Sequence, residues 1–151
     1  MTQMTHFKAF LFSLLFLAFA GLAEAQDPQG VWLTEEGDAK IEIQTCDDTY
    51  CGKLVWLKEP LEENGDPKLD DENPDPKLRD RPLLGLQLLT GFGLEPNKKG
   101  LYENGKIYDA ESGKTYSCQM SFKNNDELKI RGYLGISLLG RTTVWTRSTA
   151  P

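Results

Sequence analysis

The chain has 151 residues, 17 basic against 23 acidic side chains, and a net charge of −6 at pH 7. No basic stripe runs through it, which argues against a nucleic-acid partner. Its one His, His6, falls in a segment expected to be removed, so the mature chain lacks His; Ser-His and Cys-His nucleophile pairs and the usual His-containing zinc sites are thereby excluded.

Residues 1–25 have the pattern of a secretory signal peptide. Lys8 supplies the positive start, residues 10–22 are apolar and uncharged, and Ala23-Glu24-Ala25 has the small residues a signal peptidase reads. The apolar run is shorter than the ~20 residues a membrane span requires. Cleavage before Gln26 leaves 151 − 25 = 126 residues, enough for one domain, 26–151, with a real core. Export, to a periplasm or out of the cell, follows from this reading.

Gly30-Val31-Trp32-Leu33 opens the first strand and Glu36-Gly37-Asp38 turns it. Residues 39–45 alternate, with Ala39, Ile41 and Ile43 on one face and Lys40, Glu42 and Gln44 on the other, the period of a half-buried strand. Residues 52–57 return as the next strand. Cys46 and Cys51 flank a four-residue, hairpin-sized loop. They are expected to form a disulfide on the outer side, contributing about 2 kcal/mol for so short a ring. Cys118 is left over, either a buried inert thiol or a reactive one.

Residues 58–82 form a loop of unusual length for a compact domain, and such loops tend to be functional or mobile. Residues 59–81 hold nine acidic and four basic side chains, a net of −5 out of the total −6. The tetrad Asp-Pro-Lys-Leu occurs twice, at residues 66–69 and 75–78. Each copy can start a helical turn with Asp as N-cap and Pro as first helical residue. The oxygens of Asp70, Asp71, Glu72, Asn73 and Asp75 depart from the spacing of a calcium loop, so this acidic start reads as solvated surface. Arg79 and Arg81 follow. They either pair with nearby acids or present a guanidinium at the barrel mouth to grip a carboxylate or phosphate.

Residues 83–94 are the most apolar mature segment and are read as a core strand, with Leu84, Leu86, Leu88 and Phe92 on one face. Asn104-Gly105 is a hairpin signal between two short strands. Residues 115–123 alternate, with Tyr116, Cys118, Met120 and Phe122 facing in; these either line a pocket or pack as core. Residues 124–126 turn the chain, Leu128, Ile130 and Gly132 face in, Gly135 and Gly140 frame a link, and residues 141–147 close the sheet. The sum is an all-β fold: about eight antiparallel strands in an up-and-down barrel with one long loop, which removes exposed edges and leaves an interior that is filled or holds one small ligand.

Gly30-Val31-Trp32 resembles the Gly-x-Trp signature that opens lipocalins, and Arg147 the late Arg that packs over that Trp. A broader set of motifs resembles the DUF2147 family of exported bacterial proteins. It comprises Gly52-Lys53-Leu54-Val55-Trp56-Leu57, Asn73-Pro74-Asp75-Pro76 with Leu78-Arg79-Asp80-Arg81-Pro82-Leu83, and Gly105-Lys106-Ile107-Tyr108-Asp109. Glu111-Ser112-Gly113-Lys114-Thr115-Tyr116, Gly132-Tyr133-Leu134-Gly135, Gly140-Arg141 and Trp145-Thr146-Arg147 complete it. The resemblance implies a lipocalin-like, calycin-type barrel and brings no catalytic residues.

The expected function is binding of a small hydrophobic or amphipathic ligand in the bacterial envelope, with no catalytic role, metal or cofactor. Candidate ligand contacts are Asn73, Arg79, Arg81, Trp56, Tyr116, Met120 and Arg141; Trp32 and Arg147 are structural. The alternative is an envelope interaction module with a filled barrel and an acidic docking loop.

Overall fold

The computed structural model describes residues 26–151; the expected signal peptide, 1–25, lies outside the described residues. Eight strands follow one another around a closed antiparallel barrel, β1 to β8, with β8 pairing back onto β1. They are β1 Gly30–Leu33, β2 Ala39–Cys46, β3 Thr49–Leu57, β4 Gln87–Leu94, β5 Leu101–Asp109, β6 Lys114–Asn124, β7 Glu127–Tyr133 and β8 Arg141–Ser148. Closure pairs every strand on both sides, so no edge is offered for aggregation.

The period-two pattern places alternate residues in the lumen. Trp32, Ile41, Ile43, Leu89, Phe92, Met120 and Leu128 are fully enclosed and form the core with Leu54, Tyr102, Cys118, Ile130 and Trp145. Three departures from the expected pattern reflect bulges. Leu54 pairs with Ile41 but Trp56 with Lys40, so Val55 is an extra residue in β3. Residues 83–86 are not strand; β4 starts at Gln87, and its core residues are Leu89 and Phe92, while Leu84 is exposed. Of the expected inward set, Leu86 and Phe92 are buried and Leu88 packs against the core; only Leu84 is exposed, and the register shift against β3 between Tyr50 and Gly52 brings Leu89 inward as well.

The third departure is at Asn104-Gly105, which is not a hairpin. β5 runs straight through, with a register shift against β6 between Tyr102 and Gly105 and Asn104 at φ 63°. The left-handed residue that favours a tight turn serves here to form a bulge. Gly105 is required for a separate reason: a Cβ there would lie 2.3 Å from the Phe92 ring.

One end of the barrel is sealed. Trp32 packs edge-on to Phe122, and its Nε1 donates to the Pro28 carbonyl at 2.8 Å. Arg147 faces Trp32 across the β1–β8 pair, its guanidinium 4.2 Å from the ring centroid. The same guanidinium donates to the carbonyls of Gln29 (3.0 Å) and Asn125 (3.2 Å), and Tyr102 Oη donates to that of Gln26 at 2.7 Å. The N-terminal segment is thus tied across the closed end by polar contacts over an aromatic floor.

Cys46 and Cys51 are disulfide-bonded at the β2–β3 turn, with Cα atoms 5.8 Å apart. The bridge is less external than expected: Cys51 is buried. Cys118 is a free, fully enclosed thiol on the lumen side of β6, and burial pushes its pKa up to about 12.

Candidate functional site

The long loop is built around one buried carboxylate. Asp70 has no solvent exposure and receives hydrogen bonds from Tyr108 Oη at 2.6 Å, Asn73 Nδ2 at 2.7 Å and Arg81 Nε at 2.8 Å. A second Arg81 nitrogen completes a fork at 2.7 Å. Burial alone would raise the Asp70 pKa; the donors from Tyr108, Asn73 and Arg81, with the Arg81 charge, outweigh it and hold the carboxyl below its ordinary value. The expectation of a solvated acidic start fails at this residue. The loop is riveted to β5 through Tyr108 and packed against the β5–β6 turn, where a Cβ on Gly113 would fall 2.0 Å from the Glu72 carbonyl oxygen.

The two Asp-Pro-Lys-Leu copies adopt different structures. Asp75 caps a single 3-10 turn, Pro76–Leu78, accepting from the Lys77 amide. The first copy is extended, because Leu61 bridges to Pro67 and Leu69 to Pro82. Arg79 donates to the Asn73 carbonyl at 2.7 Å. Asn73, Arg79 and Arg81 therefore hold the loop together rather than enter the lumen.

At the end opposite Trp32 the barrel is open and encloses a cavity of about 630 Å³. The strand ends supply its wall: Ala39 and Leu57 as a cross-strand pair, Leu54 behind them, Ile107 paired with Tyr116, and Ile130 paired with Thr143. Leu83 and Leu88 bring in the loop and the start of β4. The rim carries Glu36, Asp38, Asp109 and Glu111, with Arg141 beside Glu36. Arg141 lies 3.5 Å from Glu36 and both are exposed.

The link between β7 and β8 overhangs this mouth. Leu134, Ile136, Leu138 and Leu139 are 60–84% exposed, and Leu134 and Leu139 reach the cavity. Arg131 braces the link from the outer face, donating to the Ser137 carbonyl and, at 2.7 Å, to Thr142 Oγ1.

Of the sequence-derived contacts, Tyr116 and Arg141 line the cavity. Met120 is enclosed in the core below it. Trp56 is on the outer wall, because the bulge at Val55 turns it to the side of Lys40, whose ammonium sits 5.4 Å from its ring centroid. Asn73 and Arg81 border a smaller outer cleft of about 350 Å³ with Lys106 and Thr90. Sequence reasoning missed the acidic rim, whose members come from two turns far apart in the chain, β1–β2 and β5–β6, and the buried Asp70, which sits in a run of acids with no local mark of burial. Among the described residues no group of three or more potential metal ligands is found, and no helix is long and apolar enough to cross a membrane.

A closed eight-stranded antiparallel barrel, sealed at one end by Trp32 and Arg147 and open at the other over an apolar cavity, defines a lipocalin-like protein. The family model described as an uncharacterized protein conserved in bacteria, DUF2147, matches residues 30–147, and the chain belongs to that family. A solved structure from the human pathogen Helicobacter pylori, described as belonging to the lipocalin family, is similar at 25% identity and a TM-score of 0.70, covering 82% of this chain and 84% of that one. No curated protein matches the sequence.

Proposed function

We propose that the protein binds a small, partly apolar ligand in the mouth of the barrel and does so in the bacterial envelope, after export directed by residues 1–25. One observation carries this reading: the cavity of about 630 Å³ with aliphatic walls, within the ~300–1,000 Å³ typical of ligand sites. Leu54, Leu57, Ile107 and Ile130 supply the apolar contact, and Tyr116, Thr143 and Arg141 the polar ones. The unfilled mouth favours this reading over a filled barrel that docks partners through its acidic loop. That loop's central carboxylate is already engaged within the molecule.

The test is titration of the mature chain with a neutral environment-sensitive fluorophore such as N-phenyl-1-naphthylamine, in wild type and Gly132→Leu. A Cβ at Gly132 would sit in ordinary contact with Ile107 and Tyr116, at 3.6 and 3.8 Å, so a leucine there projects into the cavity. Wild type is expected to give saturable, blue-shifted binding, and Gly132→Leu at least a tenfold loss with its cooperative melt retained. Absence of saturable binding to wild type, or binding indifferent to the leucine, overturns the proposal.

A further inference from the structure

We propose that the mouth cavity selects amphiphiles with a positively charged head, an alkylammonium on an apolar body, over carboxylates, sulfates and phosphates. The inference rests on the reading that the cavity is a ligand site and assigns the chemical class that site takes.

The charge around the cavity is one-sided. Its interior holds no charged group, and its rim carries four acids against one base, a formal net of 1 − 4 = −3. The base, Arg141, is highly exposed and faces Glu36, so it offers little to an incoming anion. Of the remaining carboxylates, Asp38 and Asp109 are oriented without being neutralised. Asp38 accepts from Thr34 Oγ1 at 2.7 Å. Asp109 accepts from the Glu111 amide at 3.1 Å and from the Ser112 hydroxyl. These donors are uncharged, so the negative potential remains.

An aromatic group supplies the second half of the recognition. Tyr116, on the inward face of β6, lines the same opening, and an ammonium over a tyrosine face is attracted by the ring quadrupole. The adjacent surface does not reverse the sign: the cleft beside the mouth adds Glu59, Glu62 and Asp71 against Lys58 and Lys68. An apolar cup with one tyrosine in its wall and a carboxylate rim matches a cationic amphiphile, whereas an anionic head would meet a like-charged rim without a free base to receive it. A cleft lined by one sign of charge also raises the local concentration of the opposite one.

Displacement of the bound neutral fluorophore by decyltrimethylammonium, decyl sulfate and decyl maltoside, each below its micelle concentration and at 10 mM salt, tests this. The ammonium is expected to displace at a concentration at least tenfold lower than the sulfate, with the maltoside between. Raising the salt to 0.5 M should shrink that ratio. So should Glu36→Gln with Glu111→Gln, by at least threefold, since neither side chain is needed to hold a turn. If the sulfate displaces as well as the ammonium, or better, the charge selection is overturned while fluorophore binding still supports a ligand site. If the fluorophore itself fails to bind, the ligand reading falls and this inference with it.

Discussion

Replacing Asp70 removes the point on which the 29-residue connection between β3 and β4 (58–86) is pinned. The wild-type carboxylate is fully enclosed and receives four short hydrogen bonds from three side chains. Asp70→Ala strips all three donors of their acceptor, and breaking a buried charge pair from one side costs about 3–5 kcal/mol. Arg81 remains 38% exposed and can be rehydrated, which places the expected loss near the lower limit, about 3 kcal/mol. Tyr108→Phe deletes one of the four bonds and should cost about 1.5 kcal/mol. Urea denaturation followed by tryptophan fluorescence at pH 7 measures both. Hydrogen exchange at the Asp70 and Leu83 amides, which bond to the Arg81 and Lys68 carbonyls, reports whether the loop opens before the barrel does. The pH dependence has a fixed sign. Because the folded carboxyl is held below its ordinary value, its stabilisation is complete above the unfolded pKa of about 4 and is lost as pH falls through the folded value. The gap between wild type and Asp70→Asn should therefore narrow in acid. An Asp70→Ala protein with an unchanged midpoint and unchanged amide protection would refute the reasoning.

Two further outcomes follow from the closed end and the core. Arg147→Ala removes both the guanidinium over Trp32 and its bonds to the Gln29 and Asn125 carbonyls. A loss of about 2 kcal/mol is expected in the same urea assay, and Arg147→Lys, which lacks the planar fork, should recover less than half of it. Without reductant, a thiol reagent should label Cys118 only in denaturant and never Cys46 or Cys51. Because the folded Cys118 pKa is raised to about 12, stability should decline as pH rises above the unfolded thiol value of about 8.5. That decline should be absent in Cys118→Ala, and an identical alkaline limb in both proteins would contradict it.

The barrel was legible because β2, β6 and β7 alternate cleanly, with a polar residue marking the phase at every second position. β4 was not, since the run from Leu83 to Leu89 has leucine in both phases and nothing local chooses between them; Phe92 is selected by the space left at Gly105. Asn104-Gly105 misled for a related reason: a left-handed Asn suits a turn and a bulge alike, and only the register of β6 distinguishes them. Within the site, Tyr116 was reached through the alternation of β6. Trp56 was misplaced by a single bulged residue, which exchanges the two faces of a strand. Arg81 and Asp70 were both read as loop charges, but their pairing across 11 residues depends on extended bridges at Leu61 and Leu69 that the repeated tetrads conceal.

The position of the unpaired thiol bears on how the chain sorts its cysteines. Three thiols allow three pairings, and in an oxidising compartment all three compete while the chain is unfolded. The native pair is five residues apart in sequence, so it meets first. A bridge from Cys118 to either partner would draw the middle of β6 out of the lumen, where its neighbour Met120 is also enclosed, and would prevent the barrel from closing. Burial of Cys118 in the closed wall would thus make the barrel itself a selector among the three pairings, because only the Cys46–Cys51 bridge is compatible with the enclosed position of β6.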